Sequence, residues 1–161
     1  YGIVDSVVFF HKNGQNQEVG RYKNNKKDGV WTFWDENGIK DSETTYSNGL
    51  KTKTSSFSGN EVTVMTFYEN GDLKFRGKWI NGKKEGKLLW LFENEIVSGI
   101  ESYTDGILNG ISSSNYPNGK SKQIVEYIDG KMNGKVRAYD VNGNLTVNRI
   151  YKNDVCISGN C

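Results

Sequence analysis

Trp79-Ile80-Asn81-Gly82-Lys83-Lys84-Glu85-Gly86 is an aromatic residue, a spacer, an Asn-Gly pair, three residues and a further glycine. Asn-Gly takes positive φ at both central positions of a type I′ turn, the turn whose twist suits antiparallel strands. The octapeptide therefore reads as the tip of a β-hairpin. Its spacing recurs throughout the chain. The turn position is occupied by Asn25, Gly49, Gly82, Gly106, Gly130 and Asp154, at steps of 24 residues except between 49 and 82. Tyr22, Tyr46, Trp79, Tyr103, Tyr127 and Tyr151 each stand three residues before it, and Gly29, Gly86, Gly110 and Gly134 stand four after it. A second series of turns holds Gly14, Gly38, Gly71, Gly119 and Gly143, with Glu95 completing the 24-residue step from Gly71. A fixed period of this length is the signature of a repeat architecture.

Between turns lie stretches rich in Val, Ile, Thr, Tyr, Phe and Trp, as strands are. Val30 to Trp34, Val62 to Tyr68 and Leu88 to Phe92 are examples. The irregular interval spans 33 residues, from 49 to 82, and Tyr46, Phe57, Tyr68 and Trp79 divide it into steps of 11. Phe57-Ser58-Gly59-Asn60 is thus read as an added hairpin turn, in preference to a nine-residue excursion that leaves strand order unchanged. The expectation is an all-β chain, an elongated single-layer antiparallel meander over residues 1–161 with about 13 or 14 strands. An open sheet of that many strands, at about 4.8 Å each, would be roughly 60 Å long.

Composition agrees. The chain has 161 residues with 19 Gly, 19 Asn, one Ala (Ala138) and one Pro (Pro117). Ala is the best helix former and Gly among the worst, so a helical protein is excluded. Twenty aromatic residues (Trp 4, Tyr 9, Phe 7) argue against disorder. No run of about 18 apolar residues is present to make a membrane helix. A net charge of +2 lacks the concentrated basic character of a nucleic-acid binder.

A single-layer sheet has two faces to cover and no helix to cover them. Large side chains fall on both: Phe9, Phe33 and Trp90 on one, Phe10, Trp34, Phe67 and Leu91 on the other. Cross-strand aromatic pairs each contribute roughly 0.2–1 kcal/mol. The fifth repeat is polar at the matching places, Ser112-Ser113-Ser114-Asn115, which predicts a weaker, more solvated region or a bend.

Segments such as Gly29-Val-Trp-Thr-Phe-Trp-Asp-Glu-Asn-Gly38 and Trp79-Ile-Asn-Gly-Lys-Lys-Glu-Gly86 resemble the bacterial variant of the MORN repeat, in about six copies covering nearly the whole chain. The resemblance implies an extended meander of hairpins without enzyme activity. Eukaryotic members are mostly scaffolds, some associated with membranes or phosphoinositides. Bacterial variant proteins include exported or surface proteins and some labelled antitoxins. The eukaryotic pattern is built on Tyr-x-Gly-x-Trp, from which this chain departs.

Enzyme signatures are missing, so no catalytic, cofactor-binding or metal-ligating residue is assigned. His11 is the only histidine, which rules out a His-based triad or metal cluster within the chain, and it is read as a solvated turn residue. Asp35, Glu36, Glu69, Asp72, Glu93 and Glu95 sit in turns, where solubility accounts for them. Asn144-Leu145-Thr146 matches the N-glycosylation acceptor pattern.

Three features remain. On the added-strand reading, Lys23, Lys26, Lys27, Lys51 and Lys53 gather at one rim of the meander, followed by the acidic group Glu69, Asp72, Glu93 and Glu95. Charged rims steer partners and fix register more than they add affinity. Trp31, Trp34, Trp79 and Trp90 are the candidate aromatic surface. Cys156 and Cys161 flank a Gly-Asn pair able to turn the chain back and close a disulfide. The chain begins at Tyr1, so a processed or trimmed product is expected, and with the cysteines this suggests a secreted or surface location, cytoplasmic being the alternative. The favoured function is a repeat scaffold for another protein, with edge-strand self-association and weak lipid contact as further outlets and no nucleic acid. The alternatives are a glycan-binding surface module using aromatic ladders and an antitoxin.

Overall fold

The computed structural model describes residues 4–161. Every regular element among them is a β-strand. The chain groups into two compact units, residues 1–73 and 74–161.

In the first unit, β1 (Val4–Phe10), β2 (Asn16–Lys23), β3 (Lys26–Trp34), β4 (Lys40–Ser47), β5 (Leu50–Ser58) and β6 (Glu61–Phe67) follow one another. Each pairs antiparallel with the next. The added hairpin is present: Ser58 lies opposite Glu61 and Phe57 opposite Val62, with Gly59-Asn60 as the turn. The 33-residue interval holds three strands where a 24-residue step holds two, and its three aromatics at 11-residue spacing each stand at or beside the end of one.

The second unit holds β7 (Leu73–Ile80, starting at the last residue of the first unit), β8 (Lys83–Leu91), β9 (Val97–Thr104), β10 (Ile107–Leu108), β11 (Gly110–Asn115), β12 (Ser121–Ile128), β13 (Lys131–Tyr139), β14 (Leu145–Lys152) and β15 (Val155–Ser158). Antiparallel pairing again follows chain order. Strands β10 and β11 both pair with β9, so they are two pieces of one strand interrupted at Asn109. Counting them as one returns fourteen strands from fifteen segments. The fold is an all-β antiparallel meander of tandem hairpins.

The Asn-Gly turns fall into two kinds, where the sequence pattern predicts one geometry for all of them; the two-residue Gly59-Asn60 turn, with only Gly59 left-handed (φ 58°), differs from both. Two-residue turns such as Asn48-Gly49 (φ 51° and 86°) and Asn81-Gly82 (φ 51° and 76°) have both residues left-handed, as expected of type I′. Longer turns do not. In the turn from Asp35 to Ile39, Gly38 donates to the Asp35 carbonyl and the Asp35 amide to the Ile39 carbonyl. Only Gly38 is left-handed there, at φ 77°. This is a type I turn closed by a left-handed residue. At Glu95 (φ 62°) a non-glycine residue fills that place.

The third glycines are bulges. Val19 faces Thr32 but Arg21 faces Asp28, so the β3 segment from 29 to 31 carries the surplus around Gly29 (φ 73°). Gly86 (φ 71°) does the same in β8, where Arg76 faces Leu89 and Lys78 faces Glu85. Each bulge turns the residue two places on, Trp31 or Leu88, into the interior. These are the only fully buried large side chains among the described residues.

Candidate binding surfaces

Residues directly opposite in an antiparallel ladder share a face. In the first unit one such row runs Trp31, Thr44, Thr54 and Met65. Trp31 lies over Gly20, where a Cβ would overlap its indole. Its Nε1 donates to the Arg21 carbonyl at 3.1 Å, and Tyr22 and Tyr46 meet it edge-on at 5.0 and 6.4 Å. Trp31 thus offers no stacking face to a ligand and leaves the candidate aromatic surface. Trp34 is half-buried, and its carbonyl accepts a hydrogen bond from His11 Nε2 at 2.9 Å. His11 is therefore a half-buried brace between neighbouring turns, not the freely solvated residue expected.

The five rim lysines divide between two faces. Lys23 and Lys26 face each other across the β2–β3 turn, and both are exposed. Lys53 lies opposite Thr45 and Thr66. Lys27 instead shares the face of Trp31: its Nζ sits 3.8 Å from that ring's centroid and pairs with Glu18. Lys51, opposite Tyr46, lies 5.8 Å over Phe67. A cavity of about 290 Å³ beside it is also lined by Leu50 and Glu69. Strand order puts the turns at 24–25, 48–49 and 68–72 along one edge of this unit, so there the basic turns do run into an acidic one.

In the second unit Phe75 bridges two tryptophans, 6.1 Å from Trp79 and 5.1 Å from Trp90. A Cβ on Gly77 would come within 2.7 Å of Phe75 and 2.9 Å of Trp79, so the absent side chain lets the rings settle on the sheet. Next to Trp90 opens a cavity of about 290 Å³, lined by Glu101, Ser112, Ser114, Gln123 and Val125 as well. The polar fifth repeat is therefore a hollow on the sheet face. The serines are polar in the sequence, and the pairing of β11 with β9 and β12 brings the residues around them into place.

On the opposite face of this unit stand Ile107, Ile111, Ile128, Ile150 and Val155. Pairings Ile107–Thr104, Ile111–Glu126, Ile128–Lys131, Lys135–Ile150 and Lys152–Val155 place all five on that face. All are 41–63% exposed. Cys156 and Cys161 are joined by a disulfide with Cα atoms 5.9 Å apart.

Turn carboxylates are tuned by their own loops. Backbone hydrogen bonding from Ile39 holds the Asp35 carboxyl below its ordinary value, and the Asn144 side chain does the same for Asp140. Among the described residues no three His, Cys, Asp or Glu side chains gather as metal ligands. No helix among them is long and apolar enough to cross a membrane.

Residues 27–48 and 108–129 match the MORN repeat variant. The two stretches correspond in structure: each begins at the second residue of its strand, β3 or β10, two residues before Gly29 or Gly110, and ends in a two-residue turn, at Asn48 or Asp129. MORN-type repeats generally mediate protein or membrane interactions. No curated protein matches the chain. A solved structure titled "Crystal Structure of TarM" is 16% identical over 75% of this chain and 20% of its own, with a TM-score of 0.37.

Proposed function

We propose that this chain is a non-enzymatic repeat scaffold that binds another protein through the aliphatic face of its second unit. The carrying observation is the set Ile107, Ile111, Ile128, Ile150 and Val155, exposed on one side of β10–β15. Single exposed aliphatics are ordinary, but grouping on one face is a mark of interaction sites. Lys131, Lys135, Lys152 and Glu126 stand opposite these residues in the ladder and supply a charged setting for them. The membership of MORN-type repeats in interaction proteins supports the same reading. The Cys156–Cys161 disulfide supports a secreted or surface location, since such bonds persist in oxidising compartments.

The test is affinity purification with crosslinking from the native cells, using wild type and an Ile111→Asp/Ile150→Asp variant of matched circular dichroism. One protein enriched by wild type and lost by the variant is expected. Equal enrichment by both, or none by either, would remove the reading.

A further inference from the structure

The hollow beside Trp90 has a cause in the repeat itself. Two residues after each bulge glycine stand Trp31, Leu88, Ser112 and Val136; four after stand Phe33, Trp90, Ser114 and Ala138. Trp31, Leu88 and Val136 are buried. The repeat that starts at Gly110 alone has serine at both places, and its strand pairs with β9 on one side and β12 on the other. Both serines line the cavity of about 290 Å³. That lies near the lower end of ligand pockets, about 300–1,000 Å³, so it fits one small ring and not a drug-sized molecule or a peptide.

Its walls have the composition of a binding site. Trp90 supplies an aromatic side, itself held by Phe75 at 5.1 Å. Glu101 accepts a hydrogen bond from the Tyr103 hydroxyl at 2.8 Å, and that hydroxyl accepts one from Lys84 Nζ at 3.1 Å. The carboxylate is thereby oriented before any ligand arrives. Ser112, Ser114 and Gln123 spend no side-chain hydrogen bond inside the described chain. Gly99 lies opposite Trp90 and keeps the floor low. A Cβ there would make only ordinary contact, 3.9 Å from Trp90 and 3.4 Å from the Ser113 carbonyl, so packing does not demand a glycine.

From this we infer that the slot between Trp90 and Gln123 binds a single pyranose ring of a neutral or amino sugar. A pyranose has an apolar C–H face for the indole and ring hydroxyls for Ser112, Ser114 and Gln123. Glu101 accepts from a hydroxyl or an ammonium and repels an anionic sugar or a phosphate. The inference goes beyond the scaffold reading and is independent of it, since the slot and the exposed isoleucines lie on opposite faces.

The experiment titrates the full chain, followed by amide NMR shifts, with glucose, galactose, N-acetylglucosamine, glucosamine, N-acetylneuraminate and inorganic phosphate. One or more of the first four should bind saturably and shift β11 and β12 amides. Ser112→Leu places at this position the residue that β8 uses at its equivalent, Leu88. This variant should fold with equal or higher thermal stability and bind at least about tenfold more weakly, about 1.4 kcal/mol. Ile111→Asp/Ile150→Asp should bind as wild type. No saturable binding by the four up to about 100 mM, a range far weaker than the roughly 4 kcal/mol of a millimolar site, overturns the inference. Binding unaffected by Ser112→Leu, or confined to N-acetylneuraminate or phosphate, does so as well.

Discussion

Trp31 shows how much one bulge glycine decides. Gly29 makes the extra turn of backbone that points the indole inward, and Gly20 on the neighbouring strand gives it room. Tyr22, Tyr46 and the Lys27 ammonium then close over it. Removing the ring leaves a void that a one-layer sheet cannot refill from a second layer. Trp31→Ala should cost about 3–5 kcal/mol, read by urea unfolding. Gly20→Ala should cost roughly 1–3 kcal/mol by overpacking against the same ring. If either variant unfolds at the wild-type midpoint, Trp31 is not a packing centre of this unit. Sequence alone placed Trp31 with three other tryptophans as a surface candidate, because residue type does not report which way a side chain points. The usable signal was the position, two after a bulge glycine. Lys27 was grouped with the rim lysines for a similar reason: it is one residue from Lys26, and neighbouring strand residues take opposite faces.

At the scale of elements, the strands and their order were legible because the turn chemistry is written in Asn, Gly and aromatic spacing. The added β5–β6 hairpin was legible too, from Phe57 and the Gly59-Asn60 pair. The second turn geometry was not, since Asn-Gly serves both kinds. In the longer turns asparagine braces the next repeat instead: Asn13, Asn94 and Asn118 donate to the carbonyls of Glu36, Pro117 and Val141, each 23 residues on. Where aspartate opens such a turn, its charge matters. The Asp140 carboxylate accepts from the Asn144 side chain, from the Asn144 amide and from the Asn142 amide. Its folded pKa lies below the ordinary 3.8, so the folded state binds the proton less well than the unfolded state. The contribution is present in full above pH 3.8 and is lost as pH falls through the lowered folded value. Asp140→Ala should therefore melt below wild type at pH 7, and the gap should shrink on acidification below that point. A gap that stays constant down to pH 2 would show that the hydrogen bonds do not depend on the ionised form.

At the scale of the molecule, a low apolar fraction and an abundance of Gly and Asn describe an object whose strands touch their sequence neighbours and little else. The same economy explains why the hollow in the second unit was only half legible. Ser112 to Ser114 could be seen as polar where other repeats are bulky, but the wall made by Trp90, Glu101 and Gln123 needed the register of β8, β9, β11 and β12. Stability in such arrays is close to a sum over repeats and their nearest-neighbour interfaces. A packing defect should then stay near its source. Leu88 is buried on β8, between β7 and β9. Leu88→Ala should cost about 2–5 kcal/mol locally. Native-state hydrogen exchange should show faster amides in β7, β8 and β9, and little change in β13 and β14 of the same unit. Equal loss of protection across β7 to β14 would mean that the unit opens as one cooperative block, and the nearest-neighbour description of this sheet would be wrong.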